Sequence, residues 1–498
     1  MPSAQVGPQD RNGLRSTHRV GVGSRWSSLL KVIILAITAC AGTLHRPCQN
    51  RETMCDVRPF RGLRYNPQLL AAPTEVIAPP YDIISPEERV LYQRRSPYNI
   101  VRIELAEEQP GDSPDDNKYT RAAATLDRWL REGILIQDKA PALYVIEHRF
   151  PYQGEQRSRW GLIARVRLED FDSGQIRPHE KTRIEPAVDR LLLLRACRTN
   201  VSPIMGLFRT DKGEMVAFSR KVGRKRPSLV VRDDQGASCQ LWVVTDTTAL
   251  DRVSTFLADK VVYIADGHHR YETALRYQKE QIATHPSHTG EEPFNFVMMA
   301  LMDSCDPGTV VLPTHRMARG LESQKVKRLE KAIAPFFEIE ESGPPVATGP
   351  GAFDDWLRTR GMGAGEGAVL GLYGLPGRKF WLLRLRSDAE LQGFMTRREL
   401  GLWGDLDVVL LQRVILEGAL GIDTPDMEVD RLGYTRDARE AVARVDSGEY
   451  QLAFLLNPVP VSSILDTADA GERLPRKSTY FYPKTPAGLV MNPVWDES

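Results

Sequence analysis

The stretch Val261–Leu275, VVYIADGHHRYETAL, constrains the fold of this chain more than any other. Val261–Ala265 is an apolar run of strand length. Asp266-Gly267 turns the chain, because glycine lacks the Cβ that makes a tight bend costly. The apolar positions then change period: Tyr271, Ala274 and Leu275 share one helical face, with Glu272 and Arg276 on the other. A strand that turns at once into an amphipathic helix lays that helix back on its own sheet. The expected class is therefore α/β, mixed α+β, with mixed sheets and helices packed on them in two or three subdomains.

The rest of the chain supports that class. ALYVIEHRF (Ala142–Phe150) and WGLIARVRL (Trp160–Leu168) read as two strands joined by the long loop PYQGEQRSR. SLVV and CQLWVVTD read as a second strand pair. FNFVMMALMD and TVVLPTHR have the composition of buried strands, as do Ala368–Tyr373, Phe380–Arg384 and Tyr450–Val459. Helices are expected at about Tyr119–Glu132, Ala187–Cys197, His269–Ile282, Glu322–Ile333 and Asp405–Leu420. SPEE at Ser85 has an N-cap serine, proline at the first helical position and an acidic first turn. Arg360–Gly367, RGMGAGEG, lacks the preceding strand and following helix of a dinucleotide fingerprint and is expected to be a loop. The regions expected are 1–53, 54–246, 247–320 and 321–498.

The formal net charge is +1, and the one basic cluster is Arg220–Arg226; its GRKRP, Gly223–Pro227, between a helix and a strand, reads as a solvated loop in preference to a phosphate patch. Nucleic acid is not an expected partner, nor is a membrane surface. Six cysteines without a C-x-x-C pair argue against a zinc site or a disulfide framework. At the N-terminus a basic stretch precedes VIILAITAC, Val32–Cys40, too short to span a bilayer as a helix. Two readings stand. Met54 is the true start of a cytoplasmic protein, which is the expectation, or Cys40 ends a lipoprotein-type signal and anchors an envelope protein.

Four groups of residues carry candidate chemistry. In the first, Gly267, His268, His269 and Arg270 lie at a helix N-terminus, where unpaired N–H groups attract anions. Arg270 offers a bidentate phosphate donor, the histidines can donate a hydrogen bond or proton, and Asp266 can accept a proton or hold Mg²⁺. The bland alternative is that Asp266 merely caps the helix. The second group is RPHEKTRIEPAVDRLLLLRACRTN, with His179 and Glu180 as an acid/base pair and Arg183, Arg190 and Asn200 close behind. The third is His315-Arg316, just past a buried strand. The fourth is RKSTYFYPK, Arg476–Lys484, with Lys477 and Ser478 beside aromatics. Walker-type, H-E-x-x-H, G-x-S-x-G and protein-kinase motifs do not occur.

RPFRGLRYNP, APPYDIIS, SPYNIVRIEL, PHEKT, DRLLLLRACRTNVSPIMGLF, IADGHHRYETAL, LPTHR and KSTYFYPK together resemble the bacterial domain of unknown function (DUF) 1015 family, from about Val57 to Val490. Its members resemble a chain that starts just before RPFRG, which favours Met54. MDSCDPG, Met302–Gly308, departs from the family's shorter turn and argues for a tolerant loop, not a catalytic Cys305. The D-G-H-H-R turn is also similar to that of the ParB and sulfiredoxin-like superfamily, which includes ADP-dependent free-serine kinases. That resemblance implies one ParB/sulfiredoxin-like subdomain, and phosphate contacts from Gly267, His268, His269 and Arg270. Family members are often associated with serine-biosynthesis genes. Together these imply phosphoryl transfer on a small hydroxy amino acid or its phosphate, as a serine kinase or phosphoserine phosphatase. His179 or Glu180 would be the acid/base, Asp266 or Asp82 would bind Mg²⁺, and ADP or ATP would be a cofactor. The alternative is a nucleotide- or nucleic-acid-binding ParB-like module without catalysis.

Overall fold

The computed structural model describes residues 55–495, except 71, 183, 235, 343–367 and 388 and the side chains of 184–186. The N-terminal extension with Cys40, the candidate Arg183 and the glycine-rich Arg360–Gly367 lie outside the described residues. The fold is mixed α/β, with both mixed and antiparallel sheets.

Among the described residues nine strands form the first sheet. Its order is Ile176–Pro178, Val262–Asp266, Ile204–Phe208, Phe296–Asp303, Glu155–Arg167, Leu143–Tyr152, Ser238–Val244 and Leu229–Arg232, with Val57–Arg58 also on Glu155–Arg167. Every residue of Phe296–Asp303 is buried, as its unbroken apolar run requires of a central strand. It runs parallel to Ile204–Phe208 and antiparallel to Glu155–Arg167.

The long hairpin loop expected at 151–159 is not there. Both strands continue through it to a register of Tyr152 opposite Glu155, and only Gln153 and Gly154 turn, at φ 51° and 78°. Two successive positive φ values match the right-handed twist of the strands. The polar character of PYQGEQRSR reflects an exposed hairpin end, not a loop.

The second sheet is antiparallel throughout: Phe337–Ser342, Phe380–Leu385, Val369–Tyr373, Leu452–Leu455, His315–Ala318 and Leu432–Thr435. TVVLPTHR is two strands, not one. Val310–Leu312 pairs with Tyr480–Tyr482, while His315–Ala318 enters the second sheet. Pro313 between them has no N–H for a ladder, so the chain changes partners there. The expected helix at Asp405–Leu420 is observed as Asp407–Leu410 followed by a π-helical stretch, Leu411–Leu420.

Helices cover the sheets through buried faces. Lys118–Arg131 is capped by Asn117 and buries Ala122, Leu126 and Trp129; Gly133 follows at φ 72°. Ser85 and Glu88 form the capping box expected from SPEE. Ile184–Cys197 packs against the helix His268–Thr284. No helix among the described residues is long and apolar enough to cross a membrane.

Candidate functional site

The strand Val262–Asp266 and the helix His268–Thr284 meet at a cavity of about 760 Å³. Gly267 makes the junction at φ 91°, in the left-handed region that glycine enters without strain. It is the helix N-cap, and no side chain caps it. Asp266 therefore does not serve as the cap. The N–H groups of the first turn have no intrahelical acceptor, and Gly267, His268, His269 and Arg270 all line the cavity.

Asp266 turns instead to two cations. Lys484 Nζ donates to Asp266 Oδ1 and lies 3.9 Å from Asp82 Oδ2. Arg270 Nη2 donates to Asp266 Oδ2 at 2.8 Å, and its Nη1 donates to Ser202 Oγ at 3.1 Å and Pro203 O at 2.6 Å. Burial pushes the Asp266 carboxyl up, but Lys484 and Arg270 outweigh it and hold the group far below its ordinary value. Burial likewise pulls Lys484 down, and Asp266 and Asp82 more than reverse this. A carboxylate so firmly ionised is a poor proton acceptor. It is a fixed anion that aims two cations.

The same pair bears on Mg²⁺. Lys484 stands between Asp82 and Asp266, where a cation shared by both carboxylates would have to sit. Among the described residues no three His, Cys, Asp or Glu side chains are grouped to hold a metal ion. Asp82, exposed on its outer side, fits a single ligand to an ion that brings its other oxygens on a phosphate.

The His179-Glu180 pair divides between wall and cavity. Glu180 lines the cavity. Its Oε1 accepts the Lys477 N–H at 2.6 Å, and burial pushes the carboxyl above its usual value. His179 is fully buried behind it. Its Nδ1 faces Ile264 O at 2.8 Å, and its Nε2 faces Thr479 Oγ1 at 2.9 Å. A carbonyl only accepts, so the proton resides on Nδ1 and Nε2 accepts from the threonine. The His179 N–H donates to His268 Nε2 at 3.3 Å, with the two rings 4.8 Å apart. Burial holds His179 down to about 4, and burial with the neighbouring His179 holds His268 well below its ordinary value. His269, by burial and then by Arg476 and Lys477, is lowered to about 4. The three rings are neutral spacers and donors at pH 7, not cations.

The C-terminal group reaches the cavity through Arg476, Lys477, Thr479, Tyr480 and Lys484. Lys477 has φ 56°, uncommon for a side-chain-bearing residue. Two contacts fix this turn: Glu180 takes the Lys477 N–H, and Arg316 Nη2 donates to Arg476 O at 3.2 Å. Arg316 is fully buried, with Nη1 on Gln412 Oε1 at 2.6 Å. His315, also buried, accepts the Leu456 N–H at 3.1 Å. Neither lines the cavity; both support it.

The remaining candidates are placed elsewhere. Arg190 stacks on the Tyr81 ring, 4.1 Å from its centroid, and donates to Glu104 O at 2.8 Å. It reaches the cavity only through Tyr81. Asn200 Oδ1 accepts from Met298 N and Asn492 Nδ2, and ties strands together. Ser478 is buried and donates to Pro475 O within its own turn. Sequence reasoning missed Lys484 and Arg476, although both bound the quoted RKSTYFYPK. It also missed Tyr434, Thr435 and Arg436 at the end of the edge strand Leu432–Thr435, for which no sequence signal exists.

The sequence model of a family described as protein of unknown function (DUF1015) matches residues 57–409. The chain belongs to this family. The part matching DUF1015 holds Asp82, Glu180 and the Asp266–Arg270 turn, and Arg436, Arg476, Lys477 and Lys484 follow it. Comparison with curated proteins finds no match. Among solved structures, this DUF1015 protein is similar to a conserved hypothetical protein from Pyrococcus furiosus, at 14% identity and TM-score 0.31, covering 66% of this chain and 93% of that one. It is similar to a free serine kinase in complex with AMP, at 13% identity and TM-score 0.32, covering 64% and 86%. It is also similar to a C-terminally truncated SbnI from Staphylococcus aureus, at 9% identity and TM-score 0.29, covering 65% and 84%.

Proposed function

We propose that this cavity transfers a phosphoryl group to or from a small hydroxy amino acid, as a serine kinase or phosphoserine phosphatase does. One observation carries the reading. A seventeen-residue helix opens its uncapped N-terminus on a cavity that Arg476, Lys477, Arg436 and Lys181 also line. The first-turn N–H groups, the positive helix end and guanidinium forks together suit a phosphate. Phosphoryl transfer depends mainly on such positioning and charge stabilisation.

The geometry supports the following roles. The first-turn N–H groups, Arg476 and Lys477 hold the transferred phosphoryl group. Glu180, whose carboxyl is pushed up by burial, takes the proton of the attacking hydroxyl. In the kinase direction the hydroxyl oxygen bonds to phosphorus, the bond to the nucleotide's bridging oxygen breaks, and the shortened nucleotide leaves. In the phosphatase direction water is the nucleophile and the hydroxy amino acid leaves. Asp266 keeps Lys484 and Arg270 in place. Asp82 would hold Mg²⁺ beside a bound phosphate, where the ion neutralises charge. A cavity of about 760 Å³ is of ligand size, and ADP or ATP is the proposed donor.

The test is phosphorus NMR of the protein with O-phosphoserine, AMP and Mg²⁺. Inorganic phosphate appearing identifies a phosphatase, and ADP appearing identifies a kinase running in reverse. Arg476→Ala is expected to weaken O-phosphoserine binding roughly tenfold, the effect of one charge-assisted hydrogen bond. An unchanged spectrum and no O-phosphoserine binding by calorimetry end this reading. AMP binding without turnover leaves a nucleotide-binding module.

A further inference from the structure

Arg159 lies in the first-sheet strand Glu155–Arg167 and is completely buried. Among the described residues no carboxylate bonds to it. Asp306, whose charge it feels, accepts instead from Trp160 N and Gly308 N. Its Nε has no hydrogen-bond partner. Burying a guanidinium without a paired carboxylate is costly, and an aliphatic side chain would fill the space without that cost. The contacts it makes are therefore informative. Nη1 donates to Tyr482 O at 3.0 Å, and Nη2 donates to Pro483 O.

Those are the two carbonyls directly before Lys484. Sheet pairing of this segment stops at Tyr482, which lies opposite Val310. Pro483 has no N–H with which to extend the ladder. The backbone that delivers Lys484 to Asp266 thus leaves its strand at the point where the Arg159 fork takes hold. A planar fork spans two consecutive carbonyls as a single ammonium cannot.

We propose that Arg159 is the positioning residue that sets the Lys484 ammonium against Asp266. The proposal rests on the phosphoryl-site reading for its effect on turnover, not for the placement of Lys484. Arg159 touches neither the cavity nor any group assigned to the reaction, and acts through the main chain of Tyr482 and Pro483.

Pulse acetylation of the full-length protein with acetic anhydride, read by mass spectrometry, tests the placement. In the wild type Lys484 reacts slowly, because it is buried and Asp266 holds it protonated. In Arg159→Met its rate is expected to rise roughly tenfold, as for the loss of one charge-assisted hydrogen bond. Lys118, paired with Asp189 and Glu108, serves as the internal control and keeps its rate. Arg159→Lys restores slow reaction in part, since it keeps the charge but not the fork. If Arg159→Met does not fold, Arg159→Lys and Arg159→Gln carry the same comparison. A Lys484 rate that stays at the wild-type value, or that rises together with Lys118, overturns the proposal. The second readout is O-phosphoserine affinity. Arg159→Met and Lys484→Met each weaken it, and the double variant is no weaker than Lys484→Met alone. Additive losses overturn the proposal. A shift in Lys484 reactivity when the wild type binds no O-phosphoserine supports the placement and removes only the phosphoryl reading.

Discussion

Replacing Lys484 by Met tests the centre of the site without emptying it, because the aliphatic stem is largely kept. The ammonium it removes is hydrogen-bonded to Asp266 and 3.9 Å from Asp82. Removing one partner of a buried ion pair costs about 3–5 kcal/mol, since the other charge is left unpaired. Arg270 keeps its own 2.8 Å bond to Asp266, so the expected loss is at the low end, about 3 kcal/mol. The pH dependence has a fixed sign. Asp266 is depressed below its ordinary 3.8, so its contribution is complete above that value and is lost as pH falls through the lower folded value. Lys484 is raised above 10.5, so its contribution is complete below that value and is lost as pH rises through the folded one. The variant should thus show its full deficit at pH 8. It should recover towards pH 4, where an Asp266 freed of its ammonium takes a proton. Urea unfolding followed by tryptophan fluorescence at pH 8 and pH 4 measures both. Adding Asp266→Asn to the variant should restore part of the loss, with a coupling of about 1–3 kcal/mol. A deficit under about 1 kcal/mol at pH 8, or one that grows on acidification, refutes the reasoning.

Two further perturbations probe the same wall. Gly267→Ala places a Cβ 2.9 Å from the Arg270 guanidinium at φ 91°. It should cost about 1–3 kcal/mol in thermal melts and displace Arg270 from Asp266; a neutral alanine at this position would falsify the turn's role. His179 stays neutral in the fold down to about 4, against an ordinary 6.5. The unfolded chain therefore takes the proton first. Stability from this group is complete above pH 6.5 and falls by up to about 3 kcal/mol as the pH drops to 4. His179→Gln should remove that share of the acid loss between pH 7 and 4.5, and an identical acid loss in the variant rejects it.

The sequence determined what lies within one or two turns of chain. The apolar run of Val261–Ala265, the glycine at 267 and the 3.6-residue period after it define a strand, a turn and a helix without help from elsewhere. SPEE defines its own cap for the same reason. Whether Glu180 and the Asp266–Arg270 turn share a cavity was not legible in the sequence; they do, because PHEKT and IADGHHR each end or follow a short buried strand, and those strands, Ile176–Pro178 and Val262–Asp266, pair in parallel. That pairing is itself tertiary. So is everything that decides charge at the site. Asp266 looked like a proton acceptor, a cap or a metal ligand, and its burial against Lys484, 218 residues away, together with the nearby Arg270, makes it a fixed anion. The histidine pair at 268 and 269 looked like donors of a hydrogen bond or a proton, and only burial, with His179 beside one ring and Arg476 and Lys477 near the other, keeps both rings neutral. Arg190, Asn200 and Ser478 carry the residue types of a phosphate site, yet none lines the cavity: Arg190 pairs with Asp189 and stacks on Tyr81, Asn200 ties Met298 N to Asn492, and Ser478 bonds within its own turn. Local pattern fixes backbone conformation because the forces involved are short-ranged in sequence. The ionisation of a buried group is set by desolvation and by charges brought in by distant segments, and no local pattern records them.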